Sequence, residues 1–168
     1  MKRGLPPIVN NEARILILGT LPGEESLRRQ EYYGHPRNHF WPMIAAVVGA
    51  PSPVAYADRL ALLKRSGFAL WDVLLSAERI GSLDSAIRNA RPNRFAALFR
   101  DYPDISTIAF NGQKAHALFR QHVAHERRIA KRNLRLLVLP STSPTYVRPF
   151  EEKLAAWRIA LPQNLRAR

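Results

Sequence analysis

Ala13-Arg14-Ile15-Leu16-Ile17-Leu18-Gly19-Thr20-Leu21-Pro22-Gly23 is the stretch that decides the fold class of this 168-residue chain. Ala13 to Leu18 is short, apolar, rich in branched side chains and stopped by Gly19. A strand exposed on one face would alternate apolar and polar residues; a continuous apolar run ended by a turn reads as a strand buried on both faces. Three more runs repeat the pattern: Phe68 to Leu74 (FALWDVL), Ser106 to Phe110 (STIAF) ahead of Asn111-Gly112, and Arg135 to Leu139 (RLLVL) ahead of Pro140. Helical stretches separate them. Phe40 to Gly49 reads as a helix starting between Asn38 and Trp41, with Pro42 in the first turn, where proline is tolerated. Ala57 to Ser66 (closed by Gly67), Asp84 to Ala90, Arg94 to Arg100, Gln113 to Val123 and Phe150 to Leu161 complete the helical set. Strands alternating with helices predict an α/β chain with a parallel sheet covered on both faces and right-handed crossovers.

No repeat or low-complexity linker divides the chain, so residues 1–168 read as a single domain, with residues 1–12 as an N-terminal tail. That start is basic but lacks the apolar core of a signal peptide. No apolar run approaches the ~20 residues that a bilayer demands, so no membrane partner is expected. Cysteine is absent, which excludes disulfides, a thiol nucleophile and cysteine-ligated zinc or iron–sulfur clusters, and fits a cytoplasmic protein. His122 and His125 lack carboxylates at ligand spacing apart from Glu126, so no metal site is expected, and the GxxxxGK[ST] phosphate loop is missing.

Charge supplies the first functional sign. Lys and Arg number 26 against 13 Asp and Glu, a formal net charge of +13. Such an excess repels itself in a compact chain and suits a polyanionic partner, nucleic acid above all.

In a parallel sheet, ligands bind beyond the carboxyl ends of the strands. The segments GTLPG, WDV, FNG and LPSTSP each follow a predicted strand and would converge on one edge. Gly19-Thr20-Leu21-Pro22-Gly23 makes a tight turn whose amides can face a phosphate or a base edge. Tyr32 to Trp41 (YYGHPRNHFW) gathers aromatic rings, which stack on extruded bases, around Asn38, which can hold a base edge or orient a water. Asn38 also stands where a helix cap is needed, and Phe40 and Trp41 read as core. Pro140-Ser141-Thr142-Ser143-Pro144 is a rigid, narrow loop whose hydroxyls and amides suit phosphates.

Taken together, ILGTLPGEESLRRQEYYGHPRNHFWPMI, WDVLLSAERIGSLDSAIRNARPNRF, FNGQKA and LPSTSP resemble the uracil-DNA glycosylase superfamily, and its hypoxanthine-DNA glycosylase branch in particular. The resemblance runs from Ile15 to Leu161. It implies a three-layer α/β/α sandwich around a short four-stranded parallel sheet. It also implies a monofunctional DNA glycosylase of base excision repair, acting as a monomer on double-stranded DNA that contains a deaminated base, without a cofactor. In the cell this would be a cytoplasmic, nucleoid-associated activity. By the same resemblance, Asn38 is the catalytic candidate, and Gly19, Thr20, Leu21 and Gly23 line the base pocket with Tyr33 and His35. Ser141, Thr142, Ser143 and Pro144 grip the DNA backbone, while Tyr146 and Arg148 belong to the segment that plugs the vacated stack. Leu21 departs from relatives that carry Asp or Asn there to position water, which counts against uracil removal. Two other readings stay open: a uracil/thymine mismatch glycosylase, and an inactive nucleic-acid-binding module on the same fold.

Overall fold

In the computed structural model, residues 1–161 are described. The chain opens with strand β1 (Lys2–Arg3) and continues through β2 (Ile15–Gly19), α1 (Glu24–Arg29), α2 (Phe40–Val48) and α3 (Tyr56–Arg65). Next come β3 (Phe68–Asp72), β4 (Leu74–Glu78), a 3₁₀ turn (Asp84–Ala86), β5 (Arg88–Pro92) and α4 (Phe95–Asp101). The last part comprises β6 (Thr107–Asn111), α5 (Gln113–His122), α6 (Arg127–Ala130), β7 (Arg135–Leu139) and α7 (Phe150–Ala160).

The expected parallel sheet is present, in the order β3-β2-β6-β7. Every residue of β2 and β3 is buried, as their unbroken apolar runs require of strands covered on both faces. On one side α2 packs against α3 and α7, with Phe40 edge-on to both Trp41 and Trp157. On the other, Phe119 of α5 contacts Phe95 of α4 and Phe110 of β6. Phe40 and Trp41 are therefore core, as read from the sequence.

Three local expectations fail for tertiary reasons. Residues 1–12 are no loose tail. Lys2 and Arg3 pair antiparallel with β4, Ile8 bridges to Leu70, and Leu5 is buried. The Leu5 carbonyl accepts from both the Tyr32 hydroxyl (3.0 Å) and the Trp71 indole (3.2 Å). The run FALWDVL is not one strand. After Asp72 the chain leaves the parallel sheet, Val73 N–H donating to Gly19 O and Leu74 N–H to Thr20 O, and enters a second, antiparallel sheet of order β1-β4-β5. Asp84 to Ala90 is likewise not a helix. It holds the 3₁₀ turn and the start of β5, whose polar sequence RNARP forms a strand because β4 offers a free edge. Helices α1 and α6 are both short.

Candidate active site

The strand-end segments do converge. They border a cavity of about 540 Å³, within the ~300–1,000 Å³ typical of small-molecule sites. One wall is Gly19 to Gly23 after β2; another is the Tyr32 to Asn38 segment before α2. Asp72 and Asn111, the last residues of β3 and β6, line it from the sheet. Ser141 and Ser143 to Thr145 follow β7, and Ser82 to Asp84 reach in from the second sheet.

Gly19 is a glycine because nothing else fits. A Cβ there would lie 2.5 Å from Asp72 Oδ1 and 2.9 Å from the Tyr33 hydroxyl oxygen. Those two groups thus crowd over the end of β2. The Tyr33 oxygen accepts a hydrogen bond from Asn111 Nδ2 (2.9 Å). Burial holds the Tyr33 phenol well above its ordinary pKa, so it stays an O–H. Asp72 is 4% exposed and no hydrogen bond reaches its carboxyl among the described residues; its Oδ2 is buried outright. Burial, reinforced by the nearby Asp84 carboxyl and opposed by Arg79, pushes the Asp72 pKa up to about 7.

A buried cation fixes the first wall. Arg79, from the end of β4, donates to the carbonyls of Leu21 (3.1 Å) and Pro22 and pairs with Asp84 (3.4 Å). The Thr20 hydroxyl donates to the same Asp84 oxygen at 2.7 Å. The Leu21 side chain is buried and comes close to Gly4, so only its backbone is left to serve the cavity. The N–H groups of Leu21 and Gly23 carry no backbone hydrogen bond among the described residues.

On the second wall, Asn38 Oδ1 accepts from Phe40 N–H (2.9 Å), which caps α2 and fixes which end of the amide is oxygen. Its Nδ2 has no partner among the described residues. The cap reading and the site reading of Asn38 are thus compatible. The Tyr33 ring stacks on Phe40 at 4.0 Å between centroids, so one face is covered. Its backbone takes φ +53°, a left-handed conformation uncommon outside glycine. His35 lines the rim, with Nδ1 accepting from Arg37 N–H (3.1 Å).

The loop after β7 divides. Ser141, Ser143 and Pro144 line the cavity. Ser141 Oγ accepts from Ser143 N–H, and Ser143 Oγ shares a hydrogen bond with Thr145 Oγ1 (2.8 Å). Thr142 does not fit the role expected of it. It is fully buried, its N–H donating to Asn111 Oδ1 (2.9 Å), its hydroxyl accepting from Asn111 Nδ2 (2.8 Å), and its carbonyl accepting from His39 N–H (3.0 Å). With every polar group engaged internally, it positions Asn111 and the loop and cannot touch DNA. Tyr146 and Arg148 lie outside the cavity. Both Arg148 and the buried Lys153 sit over the Tyr146 ring, while Val147, between Tyr146 and Arg148, is 91% exposed.

Four residues of the site were not singled out from the sequence: Asp72, Asn111, Arg79 and Asp84. The first two stand inside WDV and FNG, whose place after strands was noted, and a polar residue ending an apolar strand was the available signal. Arg79 and Asp84 carried none, because their role depends on the second sheet. Among the described residues no group of three or more His, Asp or Glu side chains is arranged to hold a metal ion.

Comparison with known proteins agrees with this geometry. Residues 6–163 match the uracil DNA glycosylase superfamily. A hypoxanthine DNA glycosylase of Methanosarcina barkeri is 39% identical over 115 residues, 68% of this chain and 73% of that protein. One from Methanosarcina acetivorans is 41% identical over 116 residues, with the same coverage. The solution NMR structure of a candidate uracil DNA glycosylase from Methanosarcina acetivorans superposes with a TM-score of 0.80 at 35% identity, covering 98% of each chain. The α/β/α sandwich, the strand-end cavity and these matches together establish that the chain belongs to the uracil DNA glycosylase superfamily.

Proposed function

We propose that this protein is a DNA glycosylase of base excision repair that draws a deaminated base out of duplex DNA and hydrolyses its N-glycosidic bond, with hypoxanthine as the substrate. The observation that carries the reading is Asn38. Its carbonyl is held by the helix it caps, and its amide N–H₂ is left unpartnered on the wall of a nucleoside-sized cavity. The names of the two Methanosarcina relatives support hypoxanthine as the base.

The chemistry follows from the charges that bond cleavage creates. Extrusion costs a few kcal/mol, least for a mispaired base. Breaking the C1′–N bond leaves positive charge on the sugar and negative charge on the base. Asn38 orients the water that attacks C1′ or, through its free N–H₂, holds the departing base; the free N–H groups of Leu21 and Gly23 stabilise that base as an oxyanion hole stabilises an oxyanion, and the proton the water loses is taken up by the expelled base anion. Tyr33 offers the base its uncovered ring face, and His35 borders the same pocket. Ser141 and Ser143 hold the flanking phosphates, and the outer Tyr146–Arg148 segment meets the duplex where the base has left. The net charge of +13 serves the same polyanion.

No lysine lines the cavity among the described residues, which supports hydrolysis without a Schiff base; a protein–DNA adduct trapped by borohydride would overturn that. No helix among the described residues is long and apolar enough to cross a membrane. A monomer working at the nucleoid is the matching cellular picture.

The deciding assay uses duplexes that each carry one inosine, uracil or xanthine, with alkali to reveal abasic sites. Inosine release by the native chain, lost in Asn38→Ala, is the expected result. Dominant uracil release would move the protein to the mismatch branch, and no release from any duplex would leave a binding module.

A further inference from the structure

A turn on the cavity rim, Ile80-Gly81-Ser82-Leu83, takes no part in the proposed reaction, yet it holds two large apolar side chains out to solvent. Ile80 is 93% exposed and Leu83 57%, while Ser82 and Leu83 line the cavity itself. The turn is braced from below. Gly81, at φ +67°, supplies the left-handed residue that reverses the chain, and its carbonyl accepts from Lys2 Nζ. Ser82 Oγ accepts from Glu24 N–H at 3.0 Å and sits against Gly23, where a Cβ would lie 3.2 Å from it. On either side, Arg79 and Asp84 are paired with each other and tied to the Gly19 to Gly23 wall. A single exposed apolar side chain is ordinary, but a pair presented on a braced turn at a cavity mouth marks a contact.

The topology identifies what covers the turn. In the order β3-β2-β6-β7, β3 and β7 are opposite edges, and β4 leaves directly from β3. The turn therefore stands at one end of the row of strand ends and the loop after β7 at the other. Three strand spacings of ~4.8 Å put the edges roughly 14 Å apart, about four rises of ~3.4 Å along a DNA strand. A duplex that delivers a nucleotide into the cavity between them lies across both rims. The far rim also ends in an apolar tip, Val147 at 91% exposure. Charge fits the same partner. Glu24 and Asp84, which hold the turn, are paired with Lys2 and Arg79, and Arg3, Arg88 and Arg91 are exposed on the two strands that flank β4.

We propose that the Ile80–Leu83 turn is a second DNA contact, opposite the Tyr146–Arg148 segment: Leu83 packs on the deoxyribose of the extruded nucleotide, and Ile80 on the sugar and base edge of its neighbour in the same strand. This rests on the reading of the cavity as the base pocket. The C–H faces of sugar and base are apolar, so the contact removes apolar surface from water on both partners. Apolar side chains set against base steps hold opened or bent DNA in other proteins. Such a contact adds affinity that salt does not screen, unlike contacts to phosphates.

The test is equilibrium binding of the full-length chain to a duplex with one tetrahydrofuran abasic site, which cannot be cleaved and calls for no particular base, followed across salt concentration. A 2-aminopurine on either side of that site reports contact with each neighbour. Ile80→Ser should weaken binding about tenfold, the effect of losing one buried isoleucine contact, at an unchanged salt slope. It should also lose the fluorescence response of one neighbour and keep that of the other. Ile80→Met, which keeps an apolar side chain of similar size, should restore both. Leu83→Ser should weaken binding by several-fold at the same slope. Because Ile80 is exposed, Ile80→Ser should unfold at the native temperature, so its effect is not one of folding. The proposal fails if Ile80→Ser binds like the native chain, or if Ile80→Met binds no better than Ile80→Ser. It fails also if the native chain is a dimer that Ile80→Ser dissociates without loss of DNA affinity, since the turn then meets a second copy. Duplex binding that depends on Ile80, with no base released from any duplex, leaves the contact standing and removes the glycosylase reading. A native chain that binds no duplex removes both.

Discussion

Residues 19–23 and residues 141–148 both follow strands of the parallel sheet and both border the cavity, yet they are held in opposite ways. The first is tied by a buried guanidinium to its own carbonyls and to Asp84, with Thr20 closing the network. The second is pinned at Thr142 through Asn111 and then runs outward on paired hydroxyls to an exposed tip at Val147. A wall that must meet a base edge benefits from being fixed before the base arrives, because preorganised dipoles need no reorganisation during reaction. A loop that meets a DNA backbone gains from surface hydroxyls and exposed cations that adapt to it. Under the proposed function, chemistry belongs to the rigid side and grip to the adaptable side.

Exchanging the arginine on each side tests the contrast most severely. Arg79→Met should cost about 3–5 kcal/mol in urea unfolding, because Asp84 and two carbonyls lose their cation. Arg148→Met, which removes an exposed cation, should cost under about 1 kcal/mol. Equal costs would erase the distinction.

Asn38→Ala should lower the rate of base release by about 10²-fold or more. The same change should remove only about 1 kcal/mol of stability, the value of the cap on Phe40 N–H. A variant that loses both in proportion would make Asn38 a cap and nothing else.

The rigid side should also be the pH-sensitive side. The Asp72 carboxyl, held at about 7 against an ordinary 3.8, keeps its proton in the folded chain after the unfolded chain has released it. Its contribution to stability is therefore full below about pH 4, declines as pH rises to about 7, and is gone above. Unfolding of the native chain followed across that window should show a loss of about 4 kcal/mol from this group, absent in Asp72→Asn. A native chain with no such loss would return Asp72 to the ordinary carboxylate range. On the adaptable side the smallest effect is expected: Arg148→Ala should reduce the salt slope of duplex binding by about one unit and leave base release from saturated complexes unchanged.

The parts that were legible in the sequence are those where local chemistry leaves little choice. Ile15–Gly19 and Arg135–Leu139 read as strands because short runs of branched apolar residues stopped by Gly or Pro have few alternatives. The YYGHPRN segment and the Ser-Pro loop stood out because polar and aromatic residues collect there without periodicity. Asp72 is not legible inside FALWDVL, where it reads as one polar residue in an apolar run. The inward turn of Thr142 is not legible either, because a threonine between serines gives no sign that it alone is buried.

By itself, then, the sequence determined the four parallel strands, the cover of β2 and β3 on both faces and the segments gathered at the strand ends, because hydrophobic period and turn chemistry act over a few residues; the expected cover fails at the edge strand β7, where Leu136 and Val138 are exposed. Only the tertiary structure decided that the N-terminal segment and β5 join β4 in a second sheet, that Arg79 and Asp84 brace the first loop, and that Asp72 faces the cavity without a partner. Each of those depends on residues brought together from distant parts of the chain, and burial of a charge or a hydrogen bond is a property of the neighbours that folding supplies.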